Sequence, residues 1–130
     1  MDRKVIASNS VPAAVGPYSQ AVRTGNLLFT SGQIGIDPQL GKLVEGGVEA
    51  QARQVMKNLT SLLEAGGSDF SRAVKTVIFL ADMGDFSKVN EIYRSFLDEK
   101  AGFPARSTVA VKDLPLGALV EIEVIAITAD

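Results

Sequence analysis

The sequence has 130 residues, enough for one hydrophobic core, and we expect residues 1–130 to form a single domain. A formal net charge of −2 gives no general attraction to nucleic acid or to acidic membranes. The chain contains neither cysteine nor histidine, which excludes thiol chemistry and removes the usual zinc ligands and the commonest neutral-pH base. We therefore expect no metal and no cofactor, and a catalytic apparatus limited to carboxylates, Arg, Lys, Tyr, hydroxyls and backbone groups.

The N-terminal half predicts mostly strands. No apolar run at the start reaches signal-peptide length, and none in the chain approaches the roughly 20 residues of a membrane span, so we expect a cytoplasmic protein. A short strand in RKVIAS is followed by a loop containing two prolines and a glycine, NSVPAAVGPYS. The stretch SQAVRTGNLLFTSGQIG then predicts a β-hairpin, because two apolar runs flank a glycine-containing turn at Thr24-Gly25-Asn26.

Two helices are predicted in the second half. Apolar residues recur at helical spacing from Val48 to Ala65, and Gly66-Gly67 supplies the end of that helix. A strongly apolar strand, AVKTVIFLAD, precedes a second helix that begins after Asp85. Two final strands, ARSTVAVKD and LVEIEVIAI, are joined by LPLG and predict a closing antiparallel hairpin. The predicted fold class is α+β, a mixed and mainly antiparallel sheet with both helices on one face.

The last strand carries large apolar residues on both of its faces. One consists of Val120, Ile122, Val124 and Ala126, and we expect it to meet the helices. The opposite face consists of Glu121, Glu123, Ile125 and Ile127. Two isoleucines are unusual on a solvated sheet face, and no predicted helix remains to cover them. We therefore expect another subunit to cover this face.

Arg106 is the charged residue that the strand pattern leaves unexplained. If Val109 and Val111 point toward the helices, Arg106 and Thr108 point to the other face. The closing hairpin would then bring Arg106 near Glu121 or Glu123. From spacing alone, Arg106 is either a binding residue for a carboxylate or one partner of an interfacial ion pair, and both alternatives stay open.

At this point the sequence resembles a known family, the RidA-type reactive intermediate deaminases of the Rid superfamily. The resemblance covers almost the whole chain and is carried by five segments in order: PAAVGPYSQAV, FTSGQIGIDP, VKTVIFLADMGDFSKVNEIY, FPARSTV and VEIEVIAI. It implies a fold similar to chorismate mutase, assembled as a homotrimer with three clefts between subunits. The subunits of such a trimer would cover the second apolar face.

The resemblance also implies a reaction. The family hydrolyses 2-imino and enamine acids, such as 2-aminoacrylate and 2-iminobutanoate, to 2-keto acids and ammonia. Dehydratases that use pyridoxal phosphate produce these substrates, which links the family functionally to them. An imine carbon is already electrophilic, so the chemistry needs a carboxylate anchor, a positioned water and a proton path, without metal or cofactor.

The positions that match the family's site give the candidate residues. Arg106 matches the arginine that anchors the substrate carboxylate, and Glu121 matches the glutamate that holds or activates water. The substrate-binding matches are Tyr18, Ser31, Gly32, Asn90 and Thr108. Some members carry cysteine where Thr108 stands, so any role at that position must fall to the hydroxyl or the backbone.

Several of these residues also have ordinary structural interpretations. Tyr18 could pack in its Gly-Pro loop, Asn90 could make a buried structural hydrogen bond, and Ser31-Gly32 could permit close backbone approach.

Two other functions remain as alternatives. One is RNA binding and cleavage, since family members have been labelled translation inhibitors and endoribonucleases, but the acidic charge and the lack of histidine argue against it. The other is a non-catalytic or chaperone-like trimer that binds small carboxylates.

Overall fold

The computed structural model describes residues 2–129, which form a twisted sheet with two helices packed on one face. The helices are α1 (Gly47–Ala65) and α2 (Phe86–Ser95). The strands are β1 (Arg3–Ile6), β2 (Ala21–Thr24), β3 (Leu27–Thr30), β4 (Gln33–Ile34), β5 (Ile36–Asp37), β6 (Lys42–Leu43), β7 (Ala73–Leu80), β8 (Ala105–Ala110) and β9 (Val120–Ile127).

The main sheet has the strand order β1-β2-β3-β9-β7-β8, with β4 also paired to β9. Strands β7 and β8 are parallel, and the other pairs of this sheet are antiparallel. The predicted α+β class and its mixed, mainly antiparallel sheet are therefore confirmed. Strands β2 and β3 form the predicted hairpin, and Gly25 adopts the positive φ of 57° that its short turn requires.

The core lies between the sheet and the two helices. The periodic apolar residues of α1 are buried, and they pack on the face of β9 that carries Ile122 and Val124. The predicted end of this helix is confirmed at Gly66. A Cβ there would lie 2.5 Å from the Leu28 side chain, so the helix end approaches β3 more closely than a larger residue would allow.

The predicted closing hairpin is wrong. Strands β8 and β9 do not pair with each other, because β7 lies between them and pairs with both. Helix α2 returns the chain to the starting end of β7, so β8 runs parallel to β7 at the edge of the sheet. The segment after β8 then passes to the other side of β7, where β9 pairs over most of its length.

The predicted orientation of Arg106 is also wrong. Arg106 pairs with the buried Thr76, and Thr108 pairs with the buried Ile78, so both lie on the face that the helices cover. Val109 lies instead on the opposite face and is exposed. The error comes from the assumption that apolar side chains mark the helix-covered face, because the other face of this sheet is apolar as well.

The sheet face turned away from the helices, here called the open face, carries large apolar side chains next to Glu121 and Glu123. Its exposed apolar members are Val5, Leu27, Phe29, Val109 and Ile127. The helices of the described residues pack on the other face and leave these side chains in contact with solvent.

Within the same residues, no helix combines the length and apolar character that a membrane crossing requires.

Candidate active site

Arg106 is held between the edge strand and the second helix. Its Nη1 donates a hydrogen bond of 2.6 Å to Oδ1 of Asn90. The guanidinium carbon lies 5.4 Å from the ring centroid of Phe86 and 5.4 Å from that of Tyr93. Both distances are within the range of a cation–π interaction, so the two rings and the amide fix the guanidinium in place.

Helix α2 presents these three partners at helical spacing. Phe86, Asn90 and Tyr93 are separated by four and three residues, which places them on one face of the helix. Tyr93 is anchored in turn, because its hydroxyl shares a buried hydrogen bond of 2.7 Å with the hydroxyl of Thr76. Burial raises the pKa of Tyr93, while the Thr76 hydrogen bond and the charge of Arg106 oppose that rise.

A cavity of about 320 Å³ opens beside Arg106. It is lined by Asn90, Tyr93, Arg94, Leu97, Phe103, Pro104 and Arg106, a set here called the arginine half-site. Arg94 forms an ion pair with Glu99, to which its Nε donates a hydrogen bond of 2.8 Å. Its guanidinium also lies over the ring of Phe103. No carboxylate of the described residues forms such a pair with Arg106, whose guanidinium remains available to a ligand anion.

Thr108 lies two residues beyond Arg106 on the same face of β8. Its Oγ1 is buried and has no hydrogen-bond partner among the described residues. Buried hydroxyls normally find partners, so an unpaired one beside an arginine is compatible with a ligand contact. Thr108 thus lies next to Arg106 along β8, although it does not line the cavity of the arginine half-site.

A second and larger cavity, of about 690 Å³, contains the remaining candidates. Its lining includes Tyr18, Ser31, Gly32 and Glu121, a set here called the glutamate half-site. Ser31 is fixed by two hydrogen bonds. Its backbone N–H donates to the backbone oxygen of Gln20 at 2.9 Å, and its hydroxyl donates to the backbone oxygen of Ser19 at 2.5 Å. Tyr18 is half-exposed at the same wall.

Gly32 allows the Glu121 carboxyl group to lie directly against the backbone. A Cβ at Gly32 would lie 2.7 Å from Cδ of Glu121 and would overlap its Oε2. This confirms the close approach that the Ser31-Gly32 pair suggested. The pKa of Glu121 is raised, chiefly because the carboxyl is partly buried and secondarily because Glu123 repels its charge.

Gln20 is a positioning residue that the sequence interpretation missed. Its side chain is buried, and its Oε1 accepts a hydrogen bond of 2.7 Å from the Ser8 backbone N–H. Its Nε2 donates to the backbone oxygens of Ser8, at 3.1 Å, and of Pro12, at 2.8 Å. The loop that carries Tyr18 is thereby attached to β2. A glutamine at the start of an apolar strand, just after a Gly-Pro loop, was the available signal.

The two half-sites lie on opposite faces of the same sheet. Arg106 projects from the helix-covered face at the β8 edge, whereas Glu121 pairs with Phe79 on the open face. The predicted proximity of Arg106 to Glu121 or Glu123 within one chain is therefore wrong. It depended on the β8–β9 hairpin, and β7 separates those strands. Among the described residues, no cluster of three or more Asp or Glu side chains is arranged to hold a metal ion.

Comparison with known proteins gives a consistent result. The family described as Endoribonuclease L-PSP matches residues 8–128. A mouse protein named 2-iminobutanoate/2-iminopropanoate deaminase is 50% identical over 96% of this chain and 91% of its own length. The human protein of the same name is 49% identical over 96% of this chain and 90% of its own.

A solved structure agrees with the sequence relatives. The crystal structure of RidA from the Antarctic bacterium Psychrobacter sp. superposes with a TM-score of 0.91 at 44% identity, covering 95% of this chain and 98% of its own. The family match and the superposition both extend over nearly the whole chain. The chain therefore belongs to the Rid family, and within it to the RidA type.

Proposed function

We propose that this protein hydrolyses reactive 2-imino and enamine acids to 2-keto acids and ammonia, with Arg106 anchoring the substrate carboxylate and Glu121 positioning the water. The predicted enzyme class, a 2-iminobutanoate/2-iminopropanoate deaminase, is confirmed by the names of relatives that are about half identical over nearly the whole chain. The observation that carries the residue roles is the guanidinium of Arg106, fixed by Asn90 and two aromatic rings and unpaired with any described carboxylate.

The proposed chemistry begins with the carboxylate anchor. The planar guanidinium can bind a substrate carboxylate through two parallel hydrogen bonds, which a lysine cannot reproduce. Thr108 and Asn90 flank this position, and Tyr18, Ser31 and Gly32 form the opposite wall in our proposal. Binding the carboxylate at one end leaves the C=N carbon directed toward the glutamate half-site.

Glu121 then acts on water. Its carboxylate accepts a proton from a water molecule as the oxygen bonds to the imine carbon and the C=N π electrons move to nitrogen. The same carboxyl returns that proton to the nitrogen, which gives a carbinolamine. It then carries the proton of the new hydroxyl to the nitrogen as the C–N bond breaks and the C=O bond forms, so that ammonia leaves and the 2-keto acid remains. General acid–base catalysis of this kind contributes a factor of about 10² to 10⁴ in rate.

We further propose a homotrimer of the chorismate-mutase type, with each cleft built from two subunits. Two observations support this arrangement. The open face exposes Leu27, Phe29 and Ile127, which a neighbouring subunit would cover. The arginine and glutamate half-sites also lie on opposite faces of one subunit, so neighbouring copies could bring them together across an interface.

The first experiment tests the anchor. A dehydratase that uses pyridoxal phosphate generates 2-aminoacrylate, semicarbazide traps the remaining imine, and the rate of trapping reports the protein's hydrolysis. We expect Arg106→Ala to lose most of the acceleration and Arg106→Lys to recover only a small part. Lysine keeps the positive charge but lacks the planar pair of donors that binds both carboxylate oxygens. Unchanged imine decay in Arg106→Ala would contradict the anchor.

The second experiment tests the shared cleft. Arg106→Ala and Glu121→Gln, each inactive alone, are unfolded together, refolded as mixed trimers and assayed. If each cleft takes its two half-sites from different subunits, random mixing restores roughly a quarter of the clefts. Gly32→Ala mixed with Glu121→Gln is the control, because both changes lie in the glutamate half-site and no intact cleft can form. Absence of recovery in the first mixture would overturn the shared cleft.

The natural setting follows from the substrate. Imino acids of this kind are released by pyridoxal-phosphate dehydratases, so we propose that the protein works beside such enzymes in the cytoplasm.

RNA cleavage is the competing function, and the name of the matching family mentions it. The net charge of −2 and the absence of histidine argue against it. Ribonuclease activity that survived purification and disappeared in Arg106→Ala would favour it.

A further inference from the structure

Leu116 has a backbone conformation that leucine rarely adopts. It lies in the short turn Pro115–Gly117, between β8 and β9, with φ 57° and ψ 22°. Among the described residues other than glycine, no other has a positive φ. The left-handed region is unfavourable for an L-residue, because its Cβ comes too close to the following carbonyl oxygen. Asn or Gly would occupy the same turn with less strain.

The Leu116 side chain gains little within its own subunit. It is 72% exposed, so burial in the core does not compensate for the strained backbone. It does line the cavity that contains Glu121, and its neighbour Pro115 lines the same cavity. A strained residue that is exposed at a candidate site is a reason to look for a ligand contact.

The rest of that cavity wall is largely apolar. Its apolar members are Pro12, Ala13, Val15, Ile34, Ile36, Pro38, Pro115 and Leu116. Among the lining residues, Glu121 is the one acidic side chain, and no lysine or arginine accompanies it. An acidic substrate side chain would therefore meet repulsion without compensation, while an aliphatic one would find apolar surface.

We propose that Leu116 is a specificity-determining residue that packs against the substrate side chain and favours imino acids with aliphatic chains longer than methyl. The inference rests on the proposed deaminase function and adds the substrate class that the site selects. The short turn directs the side chain to the cavity mouth, which accounts for a leucine at a position where glycine or asparagine would be less strained.

The test compares two imines in the same assay. An L-amino-acid oxidase generates the imines of alanine and leucine, and semicarbazide trapping gives kcat/KM for each. The variants are Leu116→Asn, nearly equal in size and tolerant of a positive φ, and Leu116→Gly, which removes the side chain. Leu40→Asn is the matched control, since Leu40 is 67% exposed and lies outside the cavity lining.

We expect both Leu116 variants to lower the leucine-to-alanine ratio of kcat/KM about tenfold, in line with the modest discrimination that apolar contacts provide. Their melting temperatures should equal or exceed the wild-type value, because the strain is relieved, and Leu40→Asn should leave the ratio unchanged. An unchanged ratio in active Leu116 variants would overturn the inference. Failure of the wild-type protein to accelerate either imine would instead remove the proposed function, and this inference with it.

Discussion

Arg106 on the edge strand and Asn90 on the second helix are joined by a hydrogen bond of 2.6 Å. The bond uses one arm of the guanidinium and leaves the group without a described carboxylate partner. A neutral amide can fix the orientation of this cation and leave its charge in place. An acidic residue in the same position would fix it equally well but would neutralise it.

This relationship predicts different effects for two substitutions of Asn90. Asn90→Ala frees one arm of Arg106, and we expect KM for the imino acid to rise about tenfold with a smaller change in kcat. Asn90→Asp is nearly isosteric but pairs with Arg106 and competes with the substrate carboxylate, so its KM should rise further. Steady-state kinetics with both variants checks the order, and a KM for Asn90→Asp at or below that of Asn90→Ala would contradict it.

Gly32→Ala should impair catalysis without unfolding the protein. The added Cβ overlaps the Glu121 carboxyl, and that flexible side chain can move away more easily than the backbone. A displacement of about 1 Å at a catalytic group can cost about 10² in rate, and we expect a loss of that order in kcat. The control is the same change in a Glu121→Gln background, where it should have little further effect if it acts through the carboxylate.

The pH dependence should report on the Glu121–Glu123 pair. In the proposed mechanism Glu121 acts in its ionised form, and its pKa is raised, so activity should fall with decreasing pH at a higher pH than an ordinary glutamate would give. Glu123→Gln removes the repulsion but not the burial, so the acid limb of kcat/KM should move to lower pH. Glu64→Gln, an exposed substitution on α1, is the control and should leave the limb in place.

The same pKa shift predicts an effect on stability. A raised pKa in the folded state means that folding favours the protonated carboxyl, so its contribution is full at low pH and is lost as pH rises through the raised value. Glu121→Gln cannot ionise and should melt higher than the wild type at neutral pH, with the difference shrinking in acid. Thermal melts at several pH values and one protein concentration test this, and a lower melting temperature for Glu121→Gln at neutral pH would count against it.

The buried hydrogen bond between Thr76 and Tyr93 should contribute to stability and little to catalysis. Tyr93→Phe keeps the ring beneath Arg106 but leaves the Thr76 hydroxyl unpaired, at a cost of roughly 1–3 kcal/mol. Thr76→Val should cost a similar amount, and the double variant should cost less than the sum of the two. Urea unfolding measures the three values. Additive losses would mean that the two hydroxyls do not depend on each other.

The helices and the individual strands could be predicted because they depend on local patterns. The apolar period of α1, its end at Gly66 and the turn at Gly25 are all properties of neighbouring residues. Strand pairing is a different matter, since it depends on contacts between distant parts of the chain. A four-residue connection such as LPLG resembles a hairpin turn, yet β7 lies between the two strands and pairs with six residues of β8 and seven of β9.

The resemblance supplied the candidate site residues, but it did not supply their arrangement. Strand alternation assigns residues to faces only when one face is clearly more polar than the other. This sheet does not meet that condition, since the apolar Val109 lies exposed on the face turned away from the helices. The sequence interpretation missed Gln20 and Leu116 for another reason. Their importance depends on buried hydrogen bonds in one case and on a backbone dihedral angle in the other.

The parallel pairing of β7 with β8 also bears on the order of folding. The arginine half-site is assembled from one continuous stretch, residues 73–110, in which paired residues of β7 and β8, such as Lys75 and Ala105, lie 30 positions apart. The glutamate half-site instead joins residues 12–41 to residues 115–121 and must close a long loop of chain. Contacts of lower sequence separation form faster, so the arginine half-site should be in place while the glutamate half-site is still being assembled.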